Sequence, residues 1–375
     1  MKTFFIVGVF LSFFLEFLLL TKKNKSLSDK ILAVWMFIIG FHLFSYYLDF
    51  TTVYLEHPQL IGLTTPFPLL HGPILYLYVL FSIRKSQKLI WTDMLHFLPV
   101  VLTILYMIPF IFTYPAEKKL LLMQGQTDDY KGFLIIQLLL ITISGLVYPI
   151  ISYLLVNKHH KLINANFSYE EKINLDWLKY CIWGLGIIYI VVAITSILEP
   201  FGVFGDFNVD TIIFFFVTLF IFSLGYFGIR HQGIFANSAQ RTKEVIIPAN
   251  ESGYKNSGLK KEEAEALNQK LLKLMVNDKP YLEPKLTLSI LADKLNTSTN
   301  YLSQTINQFQ KVNFYDFVNT YRIEEFKYLV TDPKNKNFSL LALAYDSGFN
   351  SKSSFNQVFK KQTGLTPSQF LTQIG

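Results

Sequence analysis

Seven apolar runs punctuate the first 229 positions of the chain, at about 4–20, 31–50, 66–83, 95–114, 133–156, 177–198 and 211–229. Each approaches the ~20 apolar residues that a helix needs to cross the hydrocarbon core of a bilayer. They predict seven spanning helices. The first run is short, and the third carries Pro66, Pro68 and Pro73, which are tolerated where neighbouring helices re-satisfy the freed backbone groups. The pattern then changes. Residues 230–258, which include NSAQRTKEVIIPANESGYKNSG, read as a flexible linker with a mean span of roughly 30 Å. From Leu259 the apolar positions return at helical spacing, with Ala264, Leu267, Leu271 and Leu274 on one face. The expected fold is all-α. A seven-helix transmembrane bundle (1–229) leads through the linker (230–258) to a soluble domain (259–375).

Within that last domain one design occurs twice. LTLSILADKLNTSTNYLSQTINQF predicts a short helix to Leu295, a turn at Asn296-Thr297 and a second helix from about Ser298. Asn suits the left-handed backbone of a tight turn. In the second copy Leu340–Asp346 is the first helix, Gly348 makes the turn, and Ser351–Gln362 is the second helix. Leu302 aligns with Phe355 and Ile306 with Phe359, each pair a core anchor at i, i+4. Between the copies Phe314–Val330 forms one amphipathic helix. Gly364 ends a helix, and Thr366-Pro367-Ser368-Gln369 opens another with N-cap, N1 proline and capping box. Two tandem helix-turn-helix units joined by a long helix are a far more specific signal than one.

Composition agrees with this division. Hydrophobic residues make up 51% of the chain and charged residues 16%, against about a quarter charged in soluble proteins. Mean hydropathy is +0.33. Residues 1–229 hold 15 Lys+Arg and 14 Asp+Glu, whereas 230–375 hold 19 and 13, so most of the net +7 lies in the polar tail and suits an anionic partner. The single cysteine, Cys181, excludes a disulfide framework. The first run contains Glu16 and is followed by lysines rather than a small-residue cleavage site, which predicts a retained anchor. Loops after spans one, three and five carry ten Lys and Arg (Lys22, Lys23, Lys25, Lys30, Arg84, Lys85, Lys88, Lys158, Lys161, Lys172). The loops after spans two, four and six carry three, Lys118, Lys119 and Lys131. That bias predicts an external N-terminus and a cytoplasmic tail. In a bacterium this means the inner (cytoplasmic) membrane, with the tail in the compartment that holds the DNA.

The second copy carries a dense pattern: Ala344, Gly348, Phe349, Ser351, Ser353, Phe355, Phe359, Lys360, Gly364, Thr366, Pro367 and Phe370. On these residues, and on YRIEEFKYLV with Arg322 in the connecting helix, the tail resembles the AraC/XylS family of bacterial transcription regulators. The membrane portion, with LLHGPILYLYVLF and HFLPVVL, more loosely resembles membrane regions attached to such domains. Leu371 and Gln304 stand where many members carry Arg. The resemblance implies binding of double-stranded promoter DNA. Helix geometry assigns the contacts. With Phe355, Val358 and Phe359 facing inward, Lys352, Ser353, Asn356, Gln357, Lys360 and Lys361 line the outer face. In the first copy Leu302, Thr305 and Ile306 face inward and leave Asn300, Ser303, Gln304 and Asn307. Asn and Gln pair with adenine edges, and Lys with guanine or phosphate. A solvated polar helix face is the plain alternative for any one of these residues.

Ionisable groups within spans are costly and often functional. His42, His71 and Glu16 are the candidates for a signal or ligand. Gly72 and Pro73 permit a bend around a cavity beside His71, although a histidine bonded between helices is the commoner arrangement. No phosphate-binding loop, zinc-protease or kinase signature occurs, so no catalysis, cofactor or metal is expected. The predicted partners are DNA, the lipid bilayer, a second copy of the chain as a homodimer, and a small-molecule or envelope signal. Two other readings are a transporter or membrane enzyme with a regulatory tail, and a tail that binds protein rather than DNA.

Overall fold

A computed structural model describes all residues except 85, 87, 170–174, 176, 206, 231–260 and 375. The linker proposed for 230–258 therefore lies, from residue 231 on, outside the described residues, as do Lys85 and Lys172. The described residues are helical and form no β-sheet; a single antiparallel bridge joins Phe167 to Thr287.

Seven apolar helices occupy the positions of the seven runs: α1 (Lys2–Thr21), α2 (Leu27–Phe50), α3 (Pro68–Ile83), α4 (Leu98–Phe112), α5 (Lys131–Asn166), α6 (Trp177–Leu198) and α7 (Asp210–Arg230). Six helical stretches among the described residues are long and apolar enough to cross a membrane. The fourth of them counts from Trp91, because short helical turns lead into α4 without a break. The exception is α3. It has 16 residues, because Pro68 can only open a helix and the stretch before it is spent in turns. α5 is longer than its apolar run and extends to Asn166.

The chain separates into two compact units. The first comprises Met1–Asn157 and Leu175–Arg241. Its core is built around Phe5, Trp35, Leu43, Leu75, Leu178 and Ile221. Ser12 Oγ donates to the Met36 carbonyl at 2.7 Å, tying α1 to α2. Ser26 caps α2 in a reciprocal box with Asp29, whose carboxylate also takes Lys22 at 2.9 Å out of solvent.

The second unit comprises Thr242–Gly375 together with Lys158–Asn174. This differs from a division at the linker alone: the end of α5 and the loop after it belong here. Its helices are α8 (Lys261–Asn277), α9 (Leu288–Lys294), α10 (Thr299–Thr305), α11 (Phe314–Thr331), α12 (Leu340–Asp346), α13 (Lys352–Thr363) and α14 (Pro367–Ile374). Two cores divide it. Leu271, Met275, Leu286, Leu291, Leu302 and Ile306 fill the first. Phe326, Phe349, Phe355 and Phe359 dominate the second. α11 serves both, giving Phe317 and Val318 to one and Ile323 and Phe326 to the other.

Candidate nucleic-acid interface

Hydroxyl caps begin every helix of both helix-turn-helix copies. Thr287 accepts from the Ile290 amide, Ser298 from Tyr301, Ser339 from Ala342 and Ser351 from Ser354, all at 3.1–3.2 Å. Each satisfies an amide that the first turn leaves without an intrahelical partner. Asn296 makes the first turn at φ 50° and Gly348 the second at φ 91°. Gly364 closes α13 in the left-handed region, and the Thr366–Gln369 box opens α14. A β-carbon on Gly348 would lie 2.3 Å from the Tyr281 carbonyl oxygen. Only glycine fits there, on backbone and steric grounds together.

In the second copy Phe355, Val358 and Phe359 are buried, and Lys352, Ser353, Asn356, Gln357, Lys360 and Lys361 are all exposed along the opposite side of α13. Lys361 also reaches Asp316 of α11 at 2.7 Å. The first copy departs from the expectation at two places. Ser303 is 4% exposed. α8 packs against α10 as well as α9 does, so the inward side of α10 is wider than a two-helix reading allows, and Ser303 lies on it rather than on the outward face. The α-helix also ends at Thr305 and passes into a π-helical segment, Ile306–Gln310. Asn307 lies on that segment and remains exposed, but off the α-helical phase used to place it. Asn300 is exposed and Gln304 half-buried. Sequence reasoning passed over Tyr301, which is 36% exposed; its place one turn before Gln304 was the available signal.

Arg322, at the middle of α11, is 1% exposed and holds the two copies at their joint. Its Nε donates to the Tyr281 carbonyl at 2.8 Å and one terminal nitrogen to the Glu283 carbonyl at 2.8 Å. Burial lowers its pKa to about 10, which still leaves it cationic at neutral pH. Tyr281 is fixed in turn by Glu325, which accepts from its hydroxyl at 2.9 Å and from Lys279 at 2.8 Å.

In the apolar unit His42 and His71 come together, with Nδ1 of the first 3.3 Å from Nε2 of the second. Trp35 donates to His71 Nδ1 at 3.2 Å, so the neutral His71 carries its proton on Nε2 and donates to His42. Both line a cavity of about 390 Å³, with Asp49, Asp210, Tyr46 and Tyr54. Glu16 is not part of it and lines a separate groove beside Lys25 and Lys30. Among the described residues no cluster of His, Cys, Asp and Glu is placed to hold a metal ion.

Residues 291–373 match the family described as a helix-turn-helix domain. The match runs from within α9 into α14 and so takes in both outward-facing helices, α10 and α13. The chain carries an AraC-type helix-turn-helix domain there, which supports a DNA-binding transcription regulator. No curated protein and no solved structure matches the chain.

Proposed function

We propose that the protein is a membrane-anchored, sequence-specific transcription regulator without enzymatic activity. Its apolar unit senses a signal and its helix-turn-helix unit reads promoter DNA from the cytoplasm. The observation that carries this reading is the pairing of two hydroxyl-capped helices, α10 and α13, each with an exposed amide-bearing face, in a chain whose other unit holds six helical stretches long and apolar enough to cross a membrane. Asn300, Gln304 and Asn307 read one block of bases. Ser353, Asn356 and Gln357 read a second, about 10 base pairs away on the same DNA face. Lys352, Lys360 and Lys361 contact phosphate or guanine. The lysine bias of the loops supports the cytoplasmic placement.

The cavity beside His42 and His71 is the proposed signal site. It joins polar groups in an apolar surround, as ligand sites do. A transporter with a regulatory tail would use the same cavity, and uptake by vesicles separates the two readings. The direct test is selection of bound sequences from random DNA by the full chain in lipid nanodiscs. Enrichment of a site with two short blocks is the expected result. Recovery of no sequence above background, in low and moderate salt alike, rejects the proposal.

A further inference from the structure

The last turns of α5 and the short segment that follows them are built into the helix-turn-helix unit. Ile163, Phe167 and Tyr169 are 0–5% exposed and cluster together. Ser168, between the two aromatics, is fully buried, and each of its polar groups bonds to that unit. Its amide donates to the Leu286 carbonyl at 3.2 Å, and its hydroxyl donates to the same oxygen at 2.7 Å. Its carbonyl accepts from Arg322 at 2.9 Å and from Asn319 at 3.2 Å. Its hydroxyl oxygen accepts from the other terminal nitrogen of Arg322 at 3.0 Å. The Phe167–Thr287 bridge lies alongside, and Thr287 is the cap of α9.

The location matters as much as the bonds. Arg322 and Asn319 lie on α11 between the residues it gives to the first core and those it gives to the second. A β-carbon on Gly348, the turn of the second copy, would lie 3.1 Å from Arg322 Nε. Ser168 therefore bonds to the joint on which the mutual placement of α10 and α13 depends. A buried guanidinium needs its donors satisfied, and two of the carbonyls here belong to Tyr281 and Glu283 while the third is Ser168's. Without Ser168 one terminal nitrogen keeps only the longer bond, 3.3 Å, to the Asn319 side-chain oxygen, and the joint must readjust.

We propose that residues 163–169 are an internal ligand of the helix-turn-helix unit, docked at Arg322, Asn319 and Leu286, and that their docking sets the spacing of the two DNA-reading helices. Residues 163–166 are the end of α5 itself, so a change in the apolar unit reaches DNA through this segment. This rests on the DNA-binding reading for its consequence, but the docking itself is measured without DNA.

The test uses the full chain in nanodiscs, as wild type, Ser168→Val and Phe167→Asp. Hydrogen exchange is followed in peptides covering 158–169 and 281–288. DNA binding is measured on the selected site and on sites whose two blocks are moved apart or together by one base pair. The expected result is slow exchange in wild type. In both variants exchange should rise about tenfold or more, the equivalent of one or two lost buried hydrogen bonds. The variants should also lose most of their discrimination between spacings. Adding a synthetic peptide of residues 158–169 to the Phe167→Asp chain should restore it, which excludes misfolding as the cause. Exchange in wild-type 163–169 as fast as in an unstructured peptide overturns the docking. Faster exchange with unchanged spacing preference overturns the regulatory role. If wild type binds no DNA at all, the DNA-binding reading fails, and with it the consequence for spacing; the exchange data alone then decide the docking.

Discussion

The two helix-turn-helix copies share a plan and differ in how they hold it. The second is closed by rings: Phe326 packs on Phe355 at 4.6 Å and on Phe359 nearly edge-on at 5.5 Å, and Phe359 meets Phe370 at 5.4 Å. Its outward helix runs unbroken from Lys352 to Thr363. The first is built mostly from aliphatic side chains, with Tyr281, Phe314 and Phe317 among them, and recruits α8 to finish its core; its outward helix changes to π geometry after Thr305. The contrast teaches that one motif tolerates two packing solutions. The second core is made largely of packed rings and is finished by Phe370 of α14, whereas the first is made largely of leucines and is finished by α8.

Cutting into each core tests that contrast most strongly. Phe359→Ala should cost about 3–5 kcal/mol and Ile306→Val about 0.5–1.5 kcal/mol. Native-state hydrogen exchange of α13 and α10 amides in the full chain reads each loss locally, and equal losses would erase the distinction. The turns come next. Gly348→Ala combines a left-handed penalty with a clash against the Tyr281 carbonyl and should cost about 2–5 kcal/mol. Asn296→Ala should cost only about 1–2 kcal/mol. The reverse order would mean that the Tyr281 contact relaxes freely.

Base reading is the third level. Asn356→Ala and Gln304→Ala should each weaken binding by about 1–3 kcal/mol and relax preference in separate blocks of the site. Loss of preference at the same base pairs would break the two-block scheme. The smallest effect belongs to Lys361→Ala. Its exposed pair with Asp316 is worth about 0–1 kcal/mol. Removing it should weaken all sequences alike and reduce the salt slope by about one, as seen in titrations at two salt concentrations.

Features decided by a few neighbouring residues were legible in the sequence. Asn296, Gly348, Ser351, Gly364 and the Thr366–Gln369 box each act within one turn of helix, so a linear reading finds them. The positions of the seven apolar helices were legible for the same reason, except that α3 starts only where Pro68 permits. What was not legible depends on distant partners. Ser303 is buried only because α8 returns over α10. The π segment leaves no residue signature of its own. Arg322 reads only as part of the family-like connecting helix until Ser168, far away in sequence, is found against it. His42 and His71 were separate candidates that folding made into a pair, while Glu16 was drawn elsewhere.

The discontinuity of the C-terminal unit has a consequence for recombination. A gene fusion that exchanged everything after residue 230 would look clean on the linear map, yet it would leave residues 158–174 of the original parent behind. The transplanted domain would then meet a foreign loop where its own Phe167, Ser168 and Tyr169 belong. Functional chimaeras between proteins of this architecture should accordingly require three crossovers, two before α6 and one after α7, with the interior loop travelling together with the tail.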